Sequence, residues 1–235
     1  MIRQVLVLGG LTVWKILAQP APMPEQNYCF GFLRAVPDRP TLPEAEGMRI
    51  QKEHLAHLNA LAEKRWLVGA GPILTPGGLR GLLISKCASV EEANELAGAD
   101  PAVKAQRLFV ETVRWSGPPG IGERYSKEKS ADPNYKVRMQ KHPLVLLKKS
   151  AAWKDWPSKE TFQQHFEHLM GIRKQGKLAA AGPFRDGGQW IGVFIFSAGL
   201  SPDEARALSE ADPLVKSGYA TVELLEWLAA DGTFP

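Results

Sequence analysis

Residues 165–183 read HFEHLMGIRKQGKLAAAGP, and residues 54–72 read HLAHLNALAEKRWLVGAGP. Each stretch opens on a His, carries a second His three residues on with a Leu beside it, and closes on Ala-Gly-Pro. Outward from these stretches, His54, Gly71, Pro72 and Gly81 match His165, Gly182, Pro183 and Gly192 at a constant offset of 111. After one inserted residue, Glu92, Asp100, Pro101 and Trp115 match Glu204, Asp212, Pro213 and Trp227 at 112. A register held through helix and strand alike marks a duplicated domain.

The first copy begins with NYCFGFLRAV (27–36), alternating and rich in aromatics, which reads as a strand. Helix formers fill 44–65, a short strand WLVGAGPIL meets the turn TPGG, and LRGLLISKC (79–87) is the next strand. Ser89 opens a capping box, with Glu92 three residues on, for a helix to about Gly98, and LFVETVRW (108–115) closes the unit. The second copy repeats the order: a strand at 143–153, a helix from Ser158, KLAAAGPF, WIGVFIFSA, a helix at 201–212, and YATVELLEWL.

That βαββαβ order predicts an α+β protein of two tandem ferredoxin-like domains, each a four-stranded antiparallel sheet with its helices on one face. GVFIFS (192–197) is apolar on both faces, so the helix-free face of each sheet must also be covered. Sheet-to-sheet packing of the two copies meets that need and makes one chain its own dimer. The expected boundaries are 27–116 and 143–230, joined by a linker at 117–142 and preceded by residues 1–26. Higher assembly is left open.

The 235 residues, 44 % hydrophobic and 23 % charged, belong to an ordinary globular protein rather than a disordered one. Net charge is +4, and the linker holds six Lys/Arg against three Asp/Glu interspersed with turn residues. A solvated connection fits this pattern better than a nucleic-acid patch, so no nucleic-acid partner is expected. At the N-terminus, VLVLGGLTVW (5–14) is too short to cross a bilayer, and no membrane partner is expected. It reads equally as an export leader or as an extension, which leaves the compartment open between exported and cytoplasmic. The two cysteines, Cys29 and Cys87, fall on neighbouring strands; a disulfide suits an exported chain and two buried thiols suit a cytosolic one.

The topology brings His54, the Ala70-Gly71-Pro72 strand end and Asp100-Pro101 to one edge of the first copy. It does the same for His165, Gly182-Pro183 and Asp212-Pro213. His54 and His165 are the candidate general acid/base residues, since imidazole exchanges protons near neutral pH. Asp100 and Asp212 are their orienting carboxylates. His57 and His168 flank them, and with Gly71, Pro72, Gly182 and Pro183 they are the candidate substrate-binding residues. HExxH is absent and no third ligand at plausible spacing accompanies the HxxH pairs beyond the Asp, so no metal or other cofactor is expected.

At these residues the chain resembles the YCII-related (YciI-like) family. The resemblance rests on His54-Leu55, Ala70-Gly71-Pro72, Ser89-Val90-Glu91-Glu92-Ala93 and Asp100-Pro101-Ala102-Val103 in the first copy. In the second it rests on His165, Ala181-Gly182-Pro183, Ser201-Pro202-Asp203-Glu204-Ala205 and Asp212-Pro213-Leu214-Val215. It implies a ferredoxin-like fold of the dimeric α/β-barrel superfamily, a His/Asp dyad lining a pocket between helix and sheet, and, for some members, elimination or dechlorination of aromatic compounds. The family's Arg three residues before the His is replaced by Gln51 and Phe162, with Arg49 a substitute in the first copy alone.

Two functions therefore stand after the sequence. One is an acid/base enzyme of lyase or isomerase type on a small, aromatic or cyclic molecule. The other is a non-catalytic module that binds a small ligand or serves structurally.

Overall fold

In the computed structural model of the protein, residues 25–151, 153, 157–186 and 188–235 are described. The N-terminal stretch read as a leader or extension lies outside them, apart from its last two residues.

The first half runs β1 (Gln26–Ala35), α1 (Glu44–Glu63), β2 (Leu67–Pro72), β3 (Leu79–Ser85), α2 (Val90–Gly98), the single-turn α3 (Pro101–Lys104) and β4 (Leu108–Gly117). A connecting helix, α4 (Glu123–Ala131), leads to the second half. That half runs β5 (Met139–Lys149), α5 (Lys159–Lys174), β6 (Leu178–Pro183), β7 (Trp190–Phe196), α6 (Pro202–Glu210), the single-turn α7 (Pro213–Lys216) and β8 (Ala220–Ala230). The strands form two antiparallel sheets, β2-β3-β1-β4 and β6-β7-β5-β8. Each is the ferredoxin-like order expected of βαββαβ.

Strand periodicity sorts the core into layers. Leu144, Leu146, Val193 and Ile195 join a central cluster with Phe30, Phe32, Leu82 and Ile84 of the other sheet. Their neighbours Val145, Leu147, Phe194 and Phe196 turn the opposite way, into a cluster with Leu169 and Ile172 of α5 and Ala205 of α6. A strand buried on two sides has no polar face to show, which is why GVFIFS is apolar throughout. Across the central layer the rings of Phe30 and Phe184 lie 5.3 Å apart, and those of Phe32 and Trp190 stack at 6.1 Å.

The halves are also stitched edge to edge. Just past β2, Ile73 bridges to Trp227 and Leu74 N–H donates to Glu226 C=O at 2.8 Å. Just past β6, Phe184 bridges to Trp115 and Arg185 N–H donates to Arg114 C=O at 2.8 Å. Trp227 Nε1–H donates to Gly71 C=O at 3.1 Å, and Trp115 Nε1–H to Gly182 C=O at 3.2 Å. Ala-Gly-Pro is therefore first of all the seam between the domains. A methyl added at Gly71 would fall 1.8 Å from Leu228 O, and one at Gly182 would fall 1.8 Å from Ser116 O.

Two features differ from the sequence reading, and a third was left open by it. β5 starts at Met139 rather than 143, because 139–142 pair with 227–230 of β8. Pro143 is tolerated inside it because the β7 ladder begins only at Leu144. The linker is not simply solvated: Ile121 is fully buried in the central cluster, and α4 docks on the C-terminal segment through Gly122 N–H to Thr233 C=O and Tyr125 N–H to Gly232 C=O. Finally, Cys29 and Cys87 are joined in a disulfide, settling the pairing that the sequence left open.

Candidate active site

Each Asp-Pro pair begins a one-turn helix, and the Asp caps it. Asp100 Oδ1 accepts the Ala102 N–H at 2.8 Å, and Asp212 Oδ1 accepts the Leu214 N–H at 2.9 Å. The proline at the first helical position has no N–H to leave unpaired. With one oxygen held by backbone, the other is fixed in direction. Asp100 Oδ2 lies 2.6 Å from His54 Nδ1, and Asp212 Oδ2 lies 2.7 Å from His165 Nδ1. The carboxylates are essentially closed to solvent while the imidazoles keep 11 % and 18 % of their surface.

This geometry sets the tautomer. A carboxylate only accepts, so Nδ1 carries the ring proton and donates it to the Asp. Nε2 of each His has no hydrogen-bond partner among the described residues. Its lone pair is the free base of the pair. In the second half the His165 ring also stacks on Phe194 at 6.0 Å.

His54 lines a cleft of about 1920 Å³ running from α1 to α4, and His165 lines a pocket of about 690 Å³. The second volume falls in the usual range for small-molecule sites, roughly 300–1,000 Å³. Gly71 and Pro72 line the first space, and Gly182 and Pro183 the second. Phe162, Phe166, Phe194 and Trp190 wall the second with aromatic rings.

His57 and His168 are not brought into these spaces. His57 Nε2–H donates to Leu96 C=O at 3.0 Å, and His168 Nε2–H donates to Leu208 C=O at 2.8 Å. Three residues along the helix turns the ring toward the neighbouring helix, so both tie α1 to α2 and α5 to α6 instead of meeting a ligand. Arg49 does not replace the family's arginine either, since its guanidinium is held by Glu53 one turn on at 2.8 Å. Among the described residues no group of three or more His, Cys, Asp or Glu is arranged to hold a metal ion. None of their helices is long and apolar enough to cross a membrane.

The second half, dyad included, matches a family model over residues 139–228. Those residues form a YCII-related domain. The first half repeats its topology and its dyad at matched positions.

Among solved structures the chain is similar to a mutant chlorite dismutase from Candidatus Nitrospira defluvii, with TM-score 0.58, 10 % identity, and 88 % of this chain and 92 % of that one covered. A second mutant of that enzyme gives 0.56 at 11 % identity, with 88 % and 92 % covered. A heme-binding protein from Thermus thermophilus gives 0.49 at 14 % identity, with 90 % and 95 % covered. No curated protein matches the chain by sequence. At such identities the chlorite dismutase likeness shows the fold, two ferredoxin-like domains of dimeric α/β-barrel type in tandem, and says nothing of chemistry.

Proposed function

We propose that the protein is an acid/base enzyme of lyase or isomerase type, acting on a small aromatic or cyclic molecule held against His165. The observation that carries this reading is the doubly anchored Asp: Asp212 holds Leu214 N–H with one oxygen and His165 Nδ1–H with the other. A carboxylate so placed fixes the imidazole's orientation and stabilises the imidazolium that forms when Nε2 accepts a proton. The aromatic wall of the second pocket supplies the face on which a flat substrate lies.

The proton taken from the substrate at Nε2 is returned to another of its atoms in an isomerisation, or to the departing group in an elimination. Asp212 stays ionised throughout. General acid/base groups of this kind contribute about 10²–10⁴-fold to rate.

The test is turnover of a panel of small aromatic and cyclic carbon acids by the full chain and by His165→Gln. Loss of at least about 10²-fold, with the thermal transition unmoved, is expected. Asp212→Asn, which leaves the ring free to take the wrong tautomer, should lose activity in the same direction. Turnover that survives His165→Gln overturns the assignment, and a panel that binds without any turnover assigns the pocket to binding alone.

A further inference from the structure

The two ligand spaces are built on one frame, so residues at equivalent positions can be compared one by one. Strand register fixes the equivalences. Leu33 faces Gly81 just before an irregularity in β1, and Leu147 faces Gly192 just before the same irregularity in β5. Val36 N–H donates to Arg107 C=O, as Ser150 N–H donates to Tyr219 C=O. Arg80 and Arg107 therefore stand where Ile191 and Tyr219 stand in the second half, and Arg39, in the loop three residues past Val36, meets Arg107 as Trp153, three residues past Ser150, meets Tyr219. The substitution is complete: three cations for two aromatic rings and an aliphatic chain.

All three arginines line the first cleft. Arg39 donates from Nη1 to Arg107 C=O at 2.7 Å, and Arg107 donates from Nη1 to Pro40 C=O at 2.5 Å. These bonds point the two guanidinium groups while using one of the five N–H donors of each. The Arg80 guanidinium makes no hydrogen bond among the described residues, and no described carboxylate lies within ion-pair distance of any of the three. Burial and the charges of Arg107 and Arg80 push the Arg39 guanidinium below its ordinary value, as expected where like charges crowd without a counter-ion. In the second half the same place holds Trp153 edge-on to Tyr219 at 6.1 Å.

We propose that Arg39, Arg80 and Arg107 form an oxyanion-binding site in the first cleft, for the phosphate or carboxylate group of a small molecule. Guanidinium forks suit such groups because their paired N–H donors match two oxygens at once. The duplicated chain thus carries two specificities, an anionic one beside His54 and an aromatic one beside His165. The inference rests on reading the two spaces as ligand sites, but not on the chemistry assigned to His165.

The experiment is calorimetric titration of the full chain with inorganic phosphate and, separately, with succinate, the two probes distinguishing a phosphate from a carboxylate ligand. One site per chain is expected for at least one probe, weakened at least tenfold by Arg80→Ile. That variant installs the residue the second half already carries at the same irregular position, so the fold tolerates it. His165→Gln should leave the titration unchanged, which separates failure here from failure of the catalytic reading. Absence of binding for both probes overturns the site, and so does binding indifferent to Arg80→Ile.

Discussion

The two halves hold the same frame together by different means. Beneath α5 and α6 eleven buried apolar side chains form one helix-side cluster, Phe194, Phe196 and Leu214 among them, whereas in the first half Leu33, Leu61, Leu67 and Leu83 form a smaller cluster and the other buried apolar residues of α1, α2 and α3 are Ile50, Ala93, Ala97 and Ala102, three of them alanines. The first half has the larger cleft and the disulfide; the second has the smaller pocket and no cysteine. Apolar volume removed from beneath a helix both opens a cavity and weakens the packing that holds the helix. Cys29–Cys87 lies in the half that made this exchange. The two halves share one scaffold and differ in the layer where a ligand would sit, while the seam between them is the same from both sides.

The seam offers the largest effect. Gly71 and Gly182 abut backbone carbonyls, not flexible side chains, so an added methyl must displace the partner strand. Gly71→Ala and Gly182→Ala should each lose about 3 kcal/mol or more, beyond the ordinary cost of overpacking. Chemical denaturation checks this, and equal losses are expected because the contacts are reciprocal. A mild effect at one position alone would break the symmetry claimed for the seam.

The disulfide should separate the halves. Its cysteines are 58 residues apart in sequence, and closing a loop of that length in the unfolded chain is commonly worth about 2–4 kcal/mol. Cys29→Ala with Cys87→Ala should lower stability by that order, with faster amide exchange in α1 than in α5. Uniform loss of protection across both helices would show that the bond serves the whole molecule and not the thin core of the first half.

What was legible in the sequence follows from what repeats. A constant offset exposed the duplication, and alternation on two faces exposed the sheet-to-sheet packing. The His/Asp partnership was legible because topology alone carries α1 to the start of α3. The seam was not, because the Trp227 indole and the Gly71 carbonyl meet across 156 residues of sequence. Ala-Gly-Pro therefore read as part of a pocket when it also closes the interface. His57 and His168 misled for a simpler reason: position on a helix face does not say whether a ring meets a cavity or a neighbouring carbonyl. Arg39 was hidden by the unequal loop before α1, since only its contact with Arg107 matches it to Trp153 on Tyr219.

The smallest expected effect concerns one matched position, Tyr28 against His142. Each lies opposite the seam tryptophan of its own sheet, Trp115 and Trp227. The Tyr28 hydroxyl donates to Pro118 C=O at 3.0 Å, while His142 Nδ1–H donates to Phe196 C=O at 2.8 Å. Burial lowers the His142 pKa from its ordinary value, opposed by the Phe196 carbonyl and by the charge of Asp231. The folded protein thus resists a proton that the unfolded chain accepts. The stability difference is absent above the unfolded value near 6.5 and grows as pH falls through it, with a slope of at most about 1.4 kcal/mol per pH unit. Below the folded pKa the slope vanishes again. His142→Tyr, which installs the other half's residue, should remove this component, so that the difference between variant and parent in denaturation midpoint widens from pH 7 to pH 5. A difference that stays constant over that range would mean that His142 takes up its proton as readily in the folded protein as out of it.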